Sequence, residues 1–277
     1  MSNKVYIGRV PIGGDSPLVL LAGPCVIENR DVLRQTAEKL LAVTQKLGLG
    51  LVFKSSFDKA NRSSIKSFRG PGFEEGLGLL SEIKKEYNLP LVSDVHETWQ
   101  VEPAAGVLDL IQIPAFLARQ TDLLLRAAES GRPVEVKKGQ FMAPGDMGLV
   151  AAKMTSVKNF AGLILVERGV SFGYHNLVVD MRSLTIMAKT GWPVVFDATH
   201  SVQLPSAGQE SSGGEREFIP ALARAAVAVG VDGVFLETHP CPQKALCDGP
   251  NQWPTEDLEK LIQSLVAIDR LVKPERY

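Results

Sequence analysis

Charged and metal-ligating side chains recur along this chain at one kind of position, the end of a short apolar run. The residues found there are Cys25, Lys54 with Ser56, Asp94 with His96, Gln112, Lys137 with Lys138, Arg168, Asp197 with His200, and Glu237 with His239. Buried charges cost free energy unless ligands or one another satisfy them. The pattern therefore predicts a site at which these side chains converge.

The converging group is rich in positive charge, with Lys54, Lys59, Arg62, Lys137, Lys138 and Arg168. Lysine and arginine that face a common pocket favour phosphate or carboxylate ligands, and arginine can bind either one in a bidentate fashion. For any single residue, solvated surface charge is the alternative. Recurrence at equivalent positions favours a pocket for a phosphorylated substrate.

Four residues with metal-binding side chains form a second group: Cys25, His200, Glu237 and Asp248. Thiolate, imidazole and carboxylate together suit a borderline divalent ion such as Zn²⁺, Fe²⁺ or Mn²⁺. Their spacing alone does not indicate a metal site, because a cysteine near a strand end commonly packs as a small apolar residue. The prediction depends on a fold that brings the four together.

The apolar runs that carry these residues are continuous rather than alternating, which is typical of strands buried on both faces of a parallel sheet. Eight runs have this character: Leu18–Cys25, Leu51–Phe57, Leu89–Val95, Val107–Pro114, Arg132–Lys138, Leu163–Gly169, Pro193–His200 and Gly233–His239. Helical periodicity separates them, over Glu28–Leu47, Phe73–Tyr87, Arg119–Ser130, Asp146–Asn159, Met181–Lys189, Arg216–Val229 and Glu256–Val272, with only a short helix after Val95.

Strands that alternate with helices in this way predict a (β/α)₈ TIM barrel, with an open doubly wound sheet as the alternative. Active sites of such barrels form at the carboxyl ends of the strands, where the polar residues of this chain lie. In a closed ring the first, seventh and eighth strands are neighbours. The barrel would therefore gather the four metal-binding residues.

The chain of 277 residues suits one barrel domain over residues 1–277, because barrels routinely reach this length. Lys4–Gly13 resembles a small hairpin placed to close the bottom of the barrel. Ser201–Glu215 is rich in glycine and serine and follows a strand end, so we expect a mobile loop over the site.

The charge balance excludes some partners, since 30 basic and 31 acidic residues give a net charge of −1. No global basic field exists to hold nucleic acid or an anionic membrane, and no window approaches the length of a membrane span. Three cysteines do not suit a disulfide framework. We expect a cytoplasmic enzyme with small-molecule substrates.

Long polar blocks make the sequence similar to a known family. They are AGPCVIE (22–28), FKSSFDKANRSS (53–64), SDVHE (93–97), QIPAFLARQTDLL (112–124), VKKGQF (136–141), ERGVSFGYHNLVVDMRSL (167–184), FDATHSVQ (196–203) and ETHPCPQKALCDGPN (237–251). In this order, over nearly the whole chain, they resemble the 3-deoxy-D-manno-octulosonate 8-phosphate synthase family.

The resemblance implies a (β/α)₈ enzyme, usually a homotetramer, that condenses phosphoenolpyruvate with D-arabinose 5-phosphate and releases phosphate. The product feeds lipopolysaccharide assembly. Sister enzymes of the same barrel use erythrose 4-phosphate or N-acetylmannosamine, and the segment KANRSS at 59–64 separates this chain from the erythrose phosphate enzymes, which usually have a KPRTS-like sequence there. A metal-dependent aldolase and a phosphosugar-binding barrel without turnover are further alternatives.

The resemblance also assigns roles to individual residues. Lys54, Ser56, Lys137 and Arg168, with the backbone around Ala115, would hold phosphoenolpyruvate. The sugar phosphate would bind Lys59, Asn61, Arg62 and Ser63, and Arg119 would reach in from a neighbouring subunit. Asp94 and Gln112 would line the floor between the substrates. Lys59 is the expected proton donor to the aldehyde oxygen, with Lys137, Asp94 and His200 as the other catalytic residues.

Family members with cysteine at the position of Cys25 bind a divalent metal with His200, Glu237 and Asp248, whereas members with asparagine there need none. This chain resembles the metal-dependent class. It departs from the family pattern at Gly145, His175, Cys241, Gln243 and Cys247. We interpret Cys241 and Cys247 as ordinary loop residues.

Overall fold

The computed structural model describes residues 2–62, 64–205 and 213–277. Over these residues the strands are β1 (Val5–Ile7), β2 (Val10–Ile12), β3 (Val19–Gly23), β4 (Gly50–Lys54), β5 (Leu91–Asp94), β6 (Leu110–Ile113), β7 (Val134–Lys137), β8 (Leu163–Glu167), β9 (Val170–Ser171), β10 (Leu177–Val178), β11 (Val194–Asp197), β12 (Gln203–Leu204), β13 (Gly213–Gly214), β14 (Gly233–His239) and β15 (Trp253–Pro254).

The helices of the same ranges follow the barrel strands in turn. They are α1 (Arg30–Leu47), α2 (Phe73–Tyr87), α3 (Thr98–Ala105), α4 (Thr121–Glu129), α5 (Met147–Thr155), α6 (Arg182–Ala188), α7 (Ile219–Val229) and α8 (Leu258–Val272). No helix in the described ranges has the length and apolar character needed to cross a bilayer.

Eight parallel strands close into a barrel in the order β3, β4, β5, β6, β7, β8, β11 and β14, with β14 pairing back onto β3. The predicted (β/α)₈ barrel is therefore confirmed, and the open sheet is excluded. Closure places the first, seventh and eighth barrel strands side by side, because β14 pairs with both β3 and β11.

Local sequence signals begin and end the first helix. The Asn29 side chain accepts a hydrogen bond from the Val32 amide at 2.9 Å, so it caps an end that otherwise has unsatisfied donors. Gly48 adopts a φ of 69° and donates its amide to the carbonyls of the last turn. Between these caps the apolar stripe that includes Leu33 and Leu40 packs on the outside of the barrel.

The predicted hairpin is confirmed as the antiparallel pair of β1 and β2, and Gly8 supplies the positive φ of its turn. Its apolar side chains Val5, Ile7, Val10 and Ile12 pack in one buried cluster with inward-facing residues of the barrel. The hairpin closes the amino end of the barrel with an apolar layer.

The ends of the segment predicted as a mobile loop are ordered, because β12 pairs with β13 in an antiparallel ladder. Residues 206–212, at the centre of that segment, lie outside the described residues. This pairing joins 203–204 to 213–214, and the mobility of the loop stays a prediction.

Candidate active site

A cavity of about 380 Å³ opens at the carboxyl ends of the barrel strands. Most of the residues predicted from the sequence line it, namely Lys54, Lys59, Asn61, Arg62, Asp94, Gln112, Ala115, Lys137, Arg168, His200, Glu237 and Asp248. The cavity is also lined by His96, Glu97, Gln140 and Gln203, to which the sequence assigns no role. Cations and carboxylates therefore converge in one cavity.

Two lysines share the buried carboxylate of Glu237. Lys54 Nζ donates to Glu237 Oε1 at 2.7 Å and to the Cys25 carbonyl at 2.9 Å, while Lys59 Nζ lies 3.5 Å from the same Oε1. Burial lowers the pKa of Lys59 to about 8, against the pull of Glu237. Burial alone would raise the pKa of Glu237, but Lys54 and Lys59 hold it below its usual range. The carboxylate is therefore ionised.

Asp197 orients two other residues of the cavity. Its Oδ2 accepts from Lys137 Nζ at 2.5 Å and lies 2.8 Å from His200 Nδ1, and its Oδ1 accepts from the His200 amide at 2.9 Å. Burial opposes ionisation of Asp197, but His200 and Lys137 outweigh it and keep its pKa below the ordinary value. The sequence predicts that Asp197 lies at a strand end, but it does not indicate a role for this residue. Its place three residues before His200 was the available signal.

Asp94 and Arg168 are fixed by polar neighbours at the strand ends. Asp94 Oδ2 lies 3.0 Å from His96 Nε2, and this bond, with the charges of Lys59 and Lys54, lowers the pKa of Asp94 despite its burial. Arg168 donates to Gln203 Oε1 at 3.0 Å and to the His200 carbonyl at 3.3 Å. Both charges face the cavity with restricted freedom, which suits preorganised electrostatics.

A family profile and several curated relatives match this chain over nearly its whole length. The DAHP synthetase I family profile matches residues 2–273 of this chain. The chain belongs to the DAHP synthetase I family. Its curated relatives include 2-dehydro-3-deoxyphosphooctonate aldolases from Geotalea uraniireducens (57% identical over 99% of this chain and 100% of the relative) and Geobacter metallireducens (58%, same coverage). The relative from Geobacter sulfurreducens carries the same name at 57% identity and the same coverage.

In this member of the DAHP synthetase I family, the predicted metal-binding residues fall into two groups that share Asp248. One ligand atom each from His200, Glu237 and Asp248 lie within 4.8 Å of one another, and the same holds for Cys25, Cys247 and Asp248. Buried Glu237 Oε2 and Asp248 Oδ1 have no hydrogen-bond partner among the described residues. These vacant lone pairs, with an imidazole and a thiol beside them, fit a divalent ion.

The structure corrects the interpretation of Cys247, one of the two cysteines outside the proposed metal set. It is buried, and its sulfur contacts that of Cys25. The interpretation as an ordinary loop residue is wrong for Cys247, because the loop after β14 folds back over the start of the barrel. Cys241 remains a half-buried loop residue with its thiol 3.7 Å from Gln243 Oε1.

Several predicted residues lie outside the cavity wall. Ser56 is buried and Cys25 lies behind Asp248, while Arg119 is exposed. Ser63 lies outside the described residues. Lys138 does not join the cations of the cavity, because its Nζ is buried 3.4 Å from Glu167 on the other face of β7.

The departures Gly145 and His175 are exposed, Gly145 in a short 3-10 helix and His175 in the turn between β9 and β10. His175 adopts a positive φ of 55°, and its Nδ1 lies 2.7 Å from the Pro205 carbonyl, at the edge of the cavity. The turn between β9 and β10 is thereby joined to the segment that carries Gln203.

Glu135, which lies beneath Lys137 on β7, should make the stability of the protein depend on pH. Burial raises its pKa to about 7 from 4.5, and its oxygens have no hydrogen-bond partner among the described residues. Because the folded pKa is the higher one, unfolding releases a proton between these values, and stability falls as pH rises through that window. We expect Glu135→Gln to remove this slope and to gain about 3 kcal/mol at pH 8.

Urea unfolding of both proteins at pH 4.5 and pH 8 measures this difference. The exposed Glu129→Gln is the matched control and should keep the parental slope. An identical pH dependence in Glu135→Gln and its parent would contradict the assignment.

Proposed function

We propose that this chain condenses phosphoenolpyruvate with D-arabinose 5-phosphate and water, giving 3-deoxy-D-manno-octulosonate 8-phosphate and inorganic phosphate for lipopolysaccharide synthesis. The observation that carries the proposal is the single cavity in which Lys54, Lys59, Arg62, Lys137 and Arg168 converge beside ionised carboxylates. Two phosphorylated, anionic substrates require such a set of cations. The names of the curated relatives support the same product.

Phosphoenolpyruvate is assigned to the cations that arise from the strand ends. Lys54, Lys137 and Arg168 all line the cavity, and each is held by a neighbour in the structure: Glu237, Asp197 and Gln203. Fixed cations of this kind bind phosphate and carboxylate without a further loss of side-chain freedom. Ser56, buried outside the cavity wall, does not support this subsite.

The sugar phosphate is assigned to the segment after β4. Lys59, Asn61 and Arg62 line one side of the cavity, and the Arg62 Nε donates to the Phe68 carbonyl at 3.1 Å. The buried Arg62 Nη2 has no partner among the described residues, which leaves a donor for the phosphate. The KANRSS sequence that carries these residues supports arabinose 5-phosphate over the four-carbon sugar.

In the proposed reaction, C3 of phosphoenolpyruvate attacks the aldehyde carbon and water adds at C2. Asp94 and Glu237 stabilise the positive charge that develops at C2, and the Lys59 ammonium donates its proton to the aldehyde oxygen. Collapse at C2 then breaks the C–O bond to phosphate. The water provides the keto oxygen, and its two protons balance those gained by the new hydroxyl group and the departing phosphate.

Cys25, His200, Glu237 and Asp248 would hold a divalent ion, with Zn²⁺, Fe²⁺ and Mn²⁺ as the candidates. Such an ion supplies Lewis-acid polarisation of an oxygen atom when it is bound. Asp197 keeps the His200 Nδ1 occupied, so the Nε2 is the nitrogen directed towards Glu237, at 3.6 Å from its Oε2.

The proposal extends to a homotetramer that works in the cytoplasm. The exposed position of Arg119, beside the cavity-lining segment at Ala115, supports a contribution from a neighbouring subunit. A reducing compartment keeps Cys25 available as a thiolate ligand. Sedimentation of the purified chain tests the oligomeric state.

Phosphate release from phosphoenolpyruvate tests the function directly. We expect release with arabinose 5-phosphate, and little with erythrose 4-phosphate or N-acetylmannosamine. Release with a different aldehyde would identify a sister synthase. Condensation of a keto acid without phosphate release would identify an aldolase, and binding without turnover would contradict an enzyme.

Arg62→Ala separates the two substrate subsites. Loss of a charge-assisted phosphate contact costs about 1.5–3 kcal/mol, so the KM for arabinose 5-phosphate should rise about 10- to 100-fold with little change for phosphoenolpyruvate. Arg69→Ala, which removes an exposed partner of Asp58, is the control. Because Arg62 Nη1 lies 3.6 Å from Asp248 Oδ1, metal content is measured in the same samples. Equal losses for both substrates would place Arg62 in the wrong subsite.

A further inference from the structure

A buried ion pair lies behind two of the cations that line the cavity. Lys138 directly follows Lys137 at the end of β7, and Glu167 directly precedes Arg168 at the end of β8. The Lys138 Nζ lies 3.4 Å from Glu167 Oε1, and both side chains are 1% exposed. Neither charge takes part in the proposed reaction.

The pair lies on the side of the strands that the helices cover. Leu163 and Leu165, which share a face of β8 with Glu167, pack in the large cluster that includes the helices. Ile164 and Val166, on the opposite face, pack inside the barrel with the hairpin. Since strand residues alternate between faces, the Glu167 side chain points away from the cavity. The pair can therefore influence a substrate only through other residues.

Burial of two charges is not by itself a source of stability. The cost of removing both ions from water can exceed their attraction, and apolar side chains of similar volume are often equally stabilising in the same place. A buried pair therefore indicates a task that apolar side chains cannot perform. The hydrogen bonds of the two side chains identify that task.

Both side chains bind the backbone of Gly169, the residue after Arg168. Glu167 Oε1 accepts from the Gly169 amide at 2.6 Å, and Lys138 Nζ donates to the Gly169 carbonyl at 3.2 Å. Lys138 Nζ also donates to the Met142 carbonyl at 3.4 Å. The Gly169 amide belongs to the peptide bond that leaves Arg168, so the pair fixes the backbone on the carboxyl side of this arginine.

Gly169 turns the chain at the point where the barrel ladder stops. Glu167 is the last residue of β8 and pairs with Phe196 of β11. Gly169 has a φ of 89°, and a Cβ at this position would lie 3.1 Å from the Val178 carbonyl oxygen. The direction in which the Arg168 side chain leaves the strand end therefore depends on this turn and on the pair that holds it.

Arg168 is thus held at both ends. Its guanidinium lines the cavity and donates to Gln203 Oε1 and to the His200 carbonyl, two acceptors that follow β11. Lys138 and Glu167 hold the backbone from which the side chain begins. A charge-assisted contact depends on geometry, and a displacement of about 1 Å in a bound group can cost about 100-fold.

We propose that Lys138 and Glu167 are positioning residues that direct the Arg168 guanidinium at the phosphate group of phosphoenolpyruvate. The inference rests on the proposed function, from which it takes the substrate. Loss of the pair should weaken the binding of phosphoenolpyruvate. Arabinose 5-phosphate, which is assigned to the segment after β4, should bind as before.

Two neutral double variants of the full chain test the proposal. Lys138→Met with Glu167→Met removes the hydrogen bonds of both side chains, whereas Lys138→Met with Glu167→Gln keeps an oxygen that can accept from the Gly169 amide. Calorimetry, at a temperature at which circular dichroism shows a folded chain, measures the Kd for phosphoenolpyruvate. We expect this Kd to rise about 10- to 100-fold in the first variant and by a smaller factor in the second.

The KM for arabinose 5-phosphate should stay at the parental value in both variants. Lys84→Met with Asp109→Asn is the matched control, because it removes an ion pair at the amino ends of the strands and keeps an acceptor for the Leu91 amide. This control should leave the Kd for phosphoenolpyruvate unchanged. A selective loss of one substrate is a result that a merely structural pair would not produce.

A second perturbation covers the case in which the double variants do not fold. Gly169→Ala keeps both charges and places a methyl group against the Val178 carbonyl, so it displaces the same turn. We expect it to raise the Kd for phosphoenolpyruvate with no change in the KM for arabinose 5-phosphate.

An unchanged Kd for phosphoenolpyruvate in a folded chain with Lys138→Met and Glu167→Met, or in Gly169→Ala, would overturn the inference. Equal losses for both substrates would also overturn it, since they indicate a general distortion of the cavity. A parent that binds phosphoenolpyruvate but releases no phosphate with arabinose 5-phosphate would overturn the proposed function instead, and the comparison of Kd values would still decide the positioning role.

Discussion

Replacing Cys25 with alanine is expected to remove the metal and almost all activity, whereas Cys25→Asn is expected to retain a reduced activity that chelators do not affect. Alanine removes one ligand of the proposed metal, and without that ion the buried Glu237 Oε2 and Asp248 Oδ1 have no hydrogen-bond partner among the described residues, which is costly. An asparagine amide can donate hydrogen bonds to those carboxylates in place of the metal.

The measurement is phosphate release with and without a chelator, together with metal content by mass spectrometry. Chelation should abolish activity in the parent chain, and a divalent ion should restore it. Cys241→Ala controls for the loss of a thiol elsewhere, in the loop after β14. Full activity of both Cys25 variants in chelator would contradict the metal site and show that Cys25 is only a buried apolar residue.

Asp197→Asn is the second change with a large expected effect. One carboxylate holds both Lys137 and His200, so the amide weakens a phosphate-binding cation and a metal ligand together. We expect kcat/KM for phosphoenolpyruvate to fall about 100-fold or more, and metal affinity to fall about 10- to 100-fold.

Asp109→Asn is the matched control for Asp197→Asn. Asp109 is a buried carboxylate that accepts from the Leu91 amide at 2.9 Å and pairs with Lys84 at 2.7 Å, away from the cavity. Its replacement should lower stability and leave the kinetics of the folded enzyme unchanged. If both variants lose activity in the same proportion as stability, Asp197 has only a structural role.

The barrel could be predicted because its strands are continuous apolar runs, and the helices could be predicted from their periodicity. Side-chain direction was harder, as two neighbouring lysines show. Lys137 faces the cavity and binds Asp197, whereas Lys138 points to the opposite face and binds Glu167. Successive residues of a strand alternate between faces, so a strand end known only to within one residue does not fix which lysine is inside.

The contact between Cys25 and Cys247 was not predicted, for a different reason. Cys247 lies in an irregular loop after β14, and no periodic pattern predicts where such a loop returns. Its contact with Cys25 depends on Gln252, five residues further on, whose buried amide joins the two backbones. The sequence shows the three residues but not the turn that brings them together.

The amino-terminal hairpin closes one end of the barrel, and the cavity opens at the other end. The apolar side chains of the hairpin fill the end of the described barrel opposite the cavity. Water therefore cannot reach the charged residues of the cavity from that end. Lys54, Glu237, Lys137 and Asp197 are therefore solvated from one side only, and a charge interaction is stronger where less water screens it. A segment far from any substrate thus helps to set the strength of the electric field that the substrates meet.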